Sequence, residues 1–504
     1  MRFFADGPNI PDELLESRDD GNVVFFCGAG ISLSAGLPSF IDLADQVVEE
    51  LGAPPDAKVR KTLARAKEEP DGAVSLDQIF SMLEQEYRQS QVNVIVHKLL
   101  ETSPSAKTDQ HSIVLRLSIN ASRQPQIVTT NFDLLFERAQ NGLQKHISPA
   151  LPDISSGQPL TGLVYLHGRL NAQESREGVP QQLILSSSDF GRAYLADAWA
   201  TRFVRDLLKN YVIVLLGYSA NDPPIRYLLE GLHAKADVSS KRIFAFDQGT
   251  ETEVADRWRD RGVIPLAYPR SDAKHSALWK SLNAWAYRAD DPEKWRNSIV
   301  ALASSNPRKL TPHERGQVSS IVRTTVGAKL FSDAAEAPPA EWICVFDHNA
   351  RYGEPREATR YGVGIDPLFS YGLDDDPPRE QKPKAASTHL GIDVLSTSPF
   401  DERRDEYNRL AGVSDRAANP ISPRLFYISR WLGKVLQQPA ALWWAAGYHS
   451  LHNRLVDQLE WRLDQDNSSI DPELGRVWRL LLHKFSNGFE RQNQQYRVIS
   501  KIKR

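Results

Sequence analysis

Cysteine is nearly absent from this chain, since Cys27 and Cys344 are the only two among 504 residues. Two cysteines so far apart in the sequence exclude a disulfide framework and a four-cysteine zinc site within one chain. An excess of charge of one sign is missing as well, because 61 Lys and Arg residues against 64 Asp and Glu residues leave a net charge of −3. The composition therefore gives no electrostatic reason to expect nucleic acid as a partner.

Long apolar runs are also missing. The longest, YVIVLLGY and ALWWAAGY, are far shorter than the ~20 residues that a membrane-spanning helix needs. The N-terminal stretch MRFFADGPNIPDELLESRDDG lacks the uninterrupted apolar segment of a signal peptide. We therefore expect no membrane segment and a cytoplasmic protein, which at 504 residues is long enough for two or three domains.

What the first 290 or so residues do contain is an alternation of short apolar strands and amphipathic helices. One helix is predicted over 40–51 from its i, i+3, i+4 apolar spacing, and another after a capping box at 75–78. Near-continuous apolar strands separated by helices predict an α/β fold with a parallel sheet covered on both sides. The predicted strands are 23–27, 126–130, 163–167, 183–186, 211–216, 242–246 and 263–268.

The second part of the chain has a different character. Residues 348–420 are rich in Pro, Gly, Asp and Arg, which is typical of loops with short strands or partial disorder. Residues 421–486 return to helical patterns, which predict stacked helical hairpins that reach close to the basic end RVISKIKR and are compatible with a longer parent chain. We therefore predict an α/β domain over 1–290, a linker-rich mixed region over 291–420 and a helical region over 421–504. The tryptophans of these last helices are Trp431, Trp443, Trp444, Trp461 and Trp478.

Small or polar residues follow at least four of the predicted strands, at the edge where open parallel sheets bind ligands. They are GAGIS at 28–32, NFD at 131–133, HG at 167–168 and GYSANDP at 217–223. Glycines after a strand let bare backbone approach a ligand such as a pyrophosphate group. The first stretch is not a G-x-G-x-x-G motif, because Leu33 holds the third glycine position, and the phosphate loop of NTPases is missing.

Each of these motifs also has a purely structural interpretation. Two glycines can serve a tight turn, and Asn131 and Asp133 can serve a turn and a helix N-terminus. His167 can be a buried structural histidine, and the GYSANDP loop can be closed by Asx turns and proline. The four motifs together are harder to assign to chance than any one of them, which favours a ligand site.

Taken in order, GAGIS, GLPSF, TTNFD, LHG and GYSANDP resemble the motif series of the sirtuin family, over roughly residues 20 to 285. The resemblance implies a Rossmann-like sheet that binds NAD at its rim. It implies that Asn131 and Asp133 position the nicotinamide and its ribose, and that His167 is the acid/base residue. The other residues that it assigns to NAD are Gly28, Ala29, Gly30 and Ser32 at the pyrophosphate and neighbouring ribose, Phe40 over the nicotinamide, Gly217 and Ser219 on the adenosine side, and Asp247 as a looser candidate there.

The chain departs from the protein deacylases of that family at two points. It cannot form their four-cysteine zinc site, and GLPSFI at 36–41 replaces their G-[IV]-P-D-F-R. The resemblance is therefore to zinc-free relatives, largely bacterial anti-phage effectors that hydrolyse NAD. It implies an NAD glycohydrolase that needs no metal and depletes NAD in abortive infection. Asn131 can orient a water molecule and His167 can accept a proton in such a reaction, which passes through an oxocarbenium-like state.

Other functions stay open at this stage. One is a module that senses NAD or ADP-ribose without cleaving it and regulates a partner, and another is an ADP-ribosyl transferase or protein deacylase. Residues 291–504 are expected either to hold an autoinhibitory or sensing element or to pack a homo-oligomer. A phage protein as trigger and a separate subunit of a defence system are further expected partners.

Overall fold

The computed structural model describes ten stretches of the chain. They form two compact units, one of Asp6–Asp290 and one of Met1–Ala5 with the described residues from Asp291 onward. The loops and strands predicted over 348–420 lie outside the described residues, and separate roles for 291–420 and 421–504 stay predictions. The described residues are 1–68, 75–154, 157–170, 183–233, 243–259, 261–270, 274–347, 423–446, 453–465 and 470–485.

The Asp6–Asp290 unit is built on one sheet of seven strands, in the spatial order β3-β4-β2-β1-β5-β6-β7. Every pairing between neighbouring strands is parallel. This confirms the predicted α/β class with a Rossmann-like parallel sheet. The strands are β1 (Val23–Cys27), β2 (Gln126–Thr129), β3 (Lys145–Ile147), β4 (Gly162–Tyr165), β5 (Val212–Leu216), β6 (Ile243–Gln248) and β7 (Ile264–Tyr268).

Helices cover both faces of this sheet, which is why its central strands are near-continuous apolar runs. Val24 and Phe26 of β1 belong to one buried cluster with Val204 of a covering helix. Phe25, which points to the opposite face, packs its ring 6.0 Å from that of Trp285. The helices of this unit are α1 (Asp12–Asp19), α2 (Phe40–Glu50), α3 (Lys58–Glu68), α4 (Leu76–Glu86), α5 (Gln89–Leu99), α6 (Asp109–Leu117), α7 (Leu135–Ala139), α8 (Ser187–Phe190), α9 (Trp199–Asn210), α10 (Pro223–His233), α11 (Glu251–Arg257) and α12 (Ser276–Asp290).

A second buried cluster holds helices α2 to α5 together as a layer of their own. Leu43 and Val47 of α2 are buried there with Phe80 of α4 and Val96 of α5. Phe132, which follows strand β2, joins the same cluster. This layer therefore packs against residues at the carboxyl end of the sheet, where it can form one side of a binding site.

Two strand predictions differ from the structure. The strand predicted over 183–186 is wrong, because these buried residues form no strand and lead into α8, whose N-cap Ser186 forms a capping box with Asp189. The edge strand β3 was not predicted, since Lys145, His146 and Ile147 are exposed to half-buried and form no apolar run. A short apolar run does not distinguish a strand from a buried loop, and an edge strand does not need one.

The capping box predicted at 75–78 is also wrong. Ser75 is the N-cap of α4, but its side chain accepts no bond from the helix backbone. Its hydroxyl donates instead to the carboxylate of Asp77. The carboxylate of Asp77 has displaced the backbone N–H as the partner of this hydroxyl, which sequence spacing does not reveal.

The described secondary structure of the second unit is helical, as predicted for the C-terminal part. Phe331 and Trp431 pack with ring centroids 5.1 Å apart at the centre of an aromatic cluster. Gln317 donates through Nε2 to the carbonyl of Arg2 at 3.0 Å, which ties the first residues to this unit. No described helix of the chain is long and apolar enough to cross a membrane. The helices of this unit are α13 (Pro292–Leu302), α14 (Pro312–Val322), α15 (Thr325–Ser332), α16 (Ile343–Phe346), Pro423–Lys434, Pro439–Ala446, Asn453–Gln465 and 472–485.

Candidate active site

A cleft of about 690 Å³, counting its opening to solvent, lies at the carboxyl-terminal edge of the sheet. Residues that follow β1, β2, β4 and β5 line it, together with Leu37, Pro38, Phe40 and Leu43 around the start of α2. The carboxyl ends of parallel strands share one edge, so residues distant in sequence meet there. Of the eleven predicted site residues, those that line the cleft are Ala29, Ser32, Phe40, Asn131, Asp133 and His167.

The side chain of Asn131 is held in one orientation by the protein. Its Nδ2 donates to the carbonyl of Gly28 at 3.1 Å and to the hydroxyl of Ser32 at 3.1 Å. Its backbone N–H donates to Thr129 Oγ1 at 3.0 Å. Because an amide nitrogen has two protons, both are used, and Oδ1 is left as the acceptor that Asn131 can offer to a ligand or a water molecule.

Asp133 is buried beside the same hydroxyl. Ser32 donates to its Oδ2 at 2.8 Å, and the backbone N–H of Leu135 donates to its Oδ1 at 3.0 Å. The second bond starts helix α7, so the structural interpretation of Asp133 holds alongside its place in the cleft. Burial raises the pKa of this carboxyl, while the hydrogen bonds that it accepts oppose the shift.

His167 lies two residues beyond β4 and is only 2% exposed. Its Nε2 is 2.7 Å from the hydroxyl of Tyr194, and the ring meets that of Phe190 edge to face at 5.2 Å. Burial lowers the pKa of His167 to about 3, because the charged form loses its hydration. The imidazole is therefore neutral at pH 7, and burial makes it a weaker base than an exposed histidine.

Gly28, Gly30 and Gly217 do not line the cleft. They let the loops after β1 and β5 touch, since a Cβ on Gly30 would lie 2.7 Å from the Cα of Gly217. A Cβ on Gly28 would lie 2.5 Å from the ring of Tyr218. The N–H groups of Gly28 and Gly30 already donate to Leu216 and Gly217 at 2.8 and 3.0 Å. Loop packing explains why these glycines are needed, and their contact with a pyrophosphate stays a prediction.

Ser219 and Asp247 also lie outside the cleft. Ser219 donates through its backbone N–H and its hydroxyl to Asp222, at 2.7 and 3.1 Å, which closes the GYSANDP loop. Asp247 lies within β6 rather than after it, and its Oδ2 accepts from Arg257 at 3.0 Å and Trp258 at 2.9 Å. The adenosine-side roles of both residues stay predictions.

Several lining residues were not assigned a role from the sequence. Thr130 and Tyr218 join their hydroxyls at 2.8 Å, and Asp222 lines the cleft beside them. Burial raises the pKa of Asp222 to about 6. Tyr218 and Asp222 belong to the GYSANDP motif and Thr130 precedes Asn131. Their positions after β5 and β2 could therefore have identified them as site residues from the sequence. Tyr194, which contacts His167 but does not line the cleft, lies in a π-helical turn with no motif of its own.

The described lining residues carry two carboxyl groups, Asp133 and Asp222, and neither lysine nor arginine. Ser39 stands where the deacylases have Asp, and it caps α2 by accepting from the N–H of Asp42 at 3.2 Å. Phe40, next along the chain, lies 5.2 Å from the ring of Phe80 and forms part of the cleft wall. In the part of the chain that the structure describes, no group of His, Cys, Asp and Glu side chains is arranged to hold a metal ion.

Comparison with known proteins identifies one domain. Residues 125–266 match the family model of the SIR2-like domain, a range that contains Asn131, Asp133 and His167. The chain is 33% identical over 330 residues to protein y4cA of Sinorhizobium fredii, which covers 62% of this chain and 27% of that protein. It is 23% identical over 220 residues to defense-associated sirtuin 2 of Bacillus subtilis, covering 43% of this chain and 20% of that protein. The matched part thus spans about a quarter or less of each relative.

Proposed function

The chain contains a SIR2-like domain, a type of domain that uses NAD, and we propose on that premise that its cleft hydrolyses NAD to nicotinamide and ADP-ribose. The observation that carries the proposal is the meeting of Asn131 and His167. They follow the adjacent strands β2 and β4 and line one cleft. An acceptor oxygen and a neutral imidazole on one cavity are the two groups that an activated water requires.

The cleft fits the nicotinamide end of the dinucleotide. Phe40, Phe132 and Phe190 supply aromatic walls for a flat ring. The ring of oxidised nicotinamide carries a positive charge, and the carboxyl groups of Asp133 and Asp222 complement it. The lack of lysine and arginine among the described lining residues agrees with this end of the ligand rather than the phosphates.

The residues of the chain divide the reaction between them. Asn131 Oδ1 accepts a hydrogen bond from a water molecule and so directs a lone pair of the water oxygen at the ribose carbon. As the new carbon–oxygen bond forms, the carbon–nitrogen bond breaks and its electron pair leaves with nicotinamide. His167 accepts the proton that the water loses and passes it to solvent. The aromatic wall keeps other nucleophiles out.

The biological setting is part of the proposal. A relative of this chain is named a defense-associated sirtuin, which supports a role in anti-phage defence through depletion of cellular NAD. Such an enzyme acts on the cytoplasmic NAD pool and must be silent before infection. We therefore include in the proposal an activating trigger, and a homo-oligomer or partner subunit through which it acts.

The test follows free nicotinamide while the purified full chain is incubated with NAD, alone and with extract of phage-infected cells. Asn131→Ala and His167→Ala are each expected to abolish release while the melting temperature is kept. His146→Ala is the matched control, because His146 is a half-buried histidine on β3 outside the cleft. Near-normal turnover in either cleft variant contradicts the catalytic role of the residue replaced. Saturable NAD binding with no release under any condition selects the sensing function instead.

A further inference from the structure

The hydroxyl of Ser32 is the centre of a buried network that the proposed reaction does not yet explain. It lies 2.8 Å from Asp133 Oδ2, 3.1 Å from Asn131 Nδ2 and 3.3 Å from His111 Nε2. His111 belongs to helix α6 and is fully buried. It does not line the cleft, and no motif in the sequence singled it out. A third polar partner on one hydroxyl has to be reconciled with the number of protons available.

A serine hydroxyl has one proton to donate and two lone pairs that accept. Ser32 donates its proton to Asp133 Oδ2 at 2.8 Å, so this proton is not shared with another partner. The amide nitrogen of Asn131 can only donate, so it occupies one lone pair. The second lone pair is left for His111, which must therefore donate to Ser32 from Nε2.

The surroundings of the His111 ring agree with this proton count. Burial lowers the pKa of His111 to about 4, so the ring is neutral at pH 7 and carries one proton. With that proton on Nε2, Nδ1 is a bare acceptor, and Nδ1 is buried with no hydrogen-bond partner. The ring packs edge to face on Phe136 at 4.8 Å, which holds its plane.

We propose that His111 is a positioning residue of the cleft, which donates from Nε2 to Ser32 and so fixes the direction in which Asn131 presents Oδ1. This inference rests on the proposed NAD hydrolysis. Without the donor, the hydroxyl of Ser32 can rotate toward the vacated site, and its oxygen then no longer accepts from Asn131 Nδ2. The amide of Asn131 then loses one of the two bonds that orient it. His111 therefore acts through Ser32 and touches no reacting atom.

The kinetic test compares His111→Leu, which removes the donor at similar volume, with His111→Gln, whose amide N–H reaches about as far as Nε2. We expect His111→Leu to lower kcat about 10- to 100-fold with little change in KM, since a misplaced catalytic group costs rate rather than binding. His111→Gln is expected to restore most of kcat. The melting temperature of His111→Leu should not fall, because the substitution also removes the unpaired Nδ1.

A double variant separates positioning from a general structural role. If His111 acts through Ser32, His111→Leu combined with Ser32→Ala is no slower than Ser32→Ala alone. A wild-type kcat in His111→Leu, or losses that multiply in the double variant, overturns the inference. So does a fall in melting temperature that His111→Gln fails to reverse.

A spectroscopic measurement tests the positioning role of His111 even if the chain does not cleave NAD. In the full chain labelled with ¹⁵N-histidine, the signals lost in His111→Gln belong to His111. They are expected to show a neutral ring with its proton on Nε2, and to shift in Ser32→Ala. A proton on Nδ1 overturns the positioning role whatever the activity, whereas absence of nicotinamide release from the wild type, with and without infected-cell extract, fails the proposed function alone.

Discussion

The two compact units of this chain use their buried polar groups for different purposes. In the Asp6–Asp290 unit, Asn131, Asp133 and His167 are 9%, 5% and 2% exposed, yet all three line an open cleft. Their bonds to neighbouring residues orient them, and Asn131 keeps an acceptor for a ligand. Burial in this unit serves to position groups and to shift their pKa values.

In the described part of the helical unit, several buried indole N–H groups donate to acceptors that the protein itself supplies. Trp431 donates to the carbonyl of Pro338 at 2.7 Å and Trp478 to that of Leu436 at 2.8 Å. Trp444 donates to Asp347 Oδ2 at 2.7 Å. These bonds join chain segments and line no described cleft. The comparison teaches that a buried polar group points to a site when it faces a cavity, or when it bonds to a residue that does.

The largest expected effect that tests this contrast is on stability. Trp431 is fully buried and packs 5.1 Å from Phe331 and 5.9 Å from Phe346. Trp431→Ala should lower the free energy of unfolding by ~3–5 kcal/mol, because it leaves a cavity as well as an unpaired carbonyl. Trp431→Phe should cost less, since it keeps an aromatic ring. Urea unfolding followed by circular dichroism measures both, and a loss below ~1 kcal/mol for Trp431→Ala would break the comparison.

A smaller effect is expected where the loops after β1 and β5 meet. In Gly30→Ala the new Cβ would lie 2.7 Å from the Cα of Gly217, so backbone must move. We expect a loss of about 1–3 kcal/mol of stability and reduced NAD turnover, because Ala29 and Ser32 shift with the loop. Gly316→Ala is the control, since no atom lies within 4 Å of its Cβ position in α14. It should be neutral or stabilise by about 0.5–1 kcal/mol, and equal losses in the two variants would contradict the loop contact.

The smallest effect depends on pH. Burial raises the pKa of Asp222 to about 6, against an unfolded value of about 3.9. As the pH falls, Asp222 therefore takes up its proton at a higher pH in the folded state than in the unfolded state. Its contribution to stability is fully present below pH ~3.9 and is lost as the pH rises through ~6. Relative to Asp222→Asn, the wild type should gain about 1 kcal/mol between pH 7.5 and pH 5. Melting curves of both proteins at the two pH values decide it, and a difference that grows with rising pH has the wrong sign.

The sequence predicted the parts of the fold that depend on local pattern. The apolar runs of β1, β2, β4, β5, β6 and β7 correspond to strands, because a strand buried on both faces must be apolar along its length. Residues 183–186 also form a continuous apolar run, but they are a buried loop rather than a strand. Strand β3 lies at the edge of the sheet, where a strand does not need to be apolar along its length. Ser75 was assigned by spacing alone, which does not show that Asp77 competes for its hydroxyl.

The candidate site divides in the same way. The sequence predicts that the residues after β1, β2, β4 and β5 gather at one edge, since a parallel sheet brings the carboxyl ends of its strands together. Tertiary contacts decided the rest. They determine which atom of Asn131 stays open to a ligand, which aromatic ring His167 contacts and why residue 30 must be glycine. They also determine the approach of His111 to Ser32 across 79 residues of chain. Hydrogen bonds between distant segments depend on directions of side chains in space, and a linear pattern carries periodicity and order but not those directions.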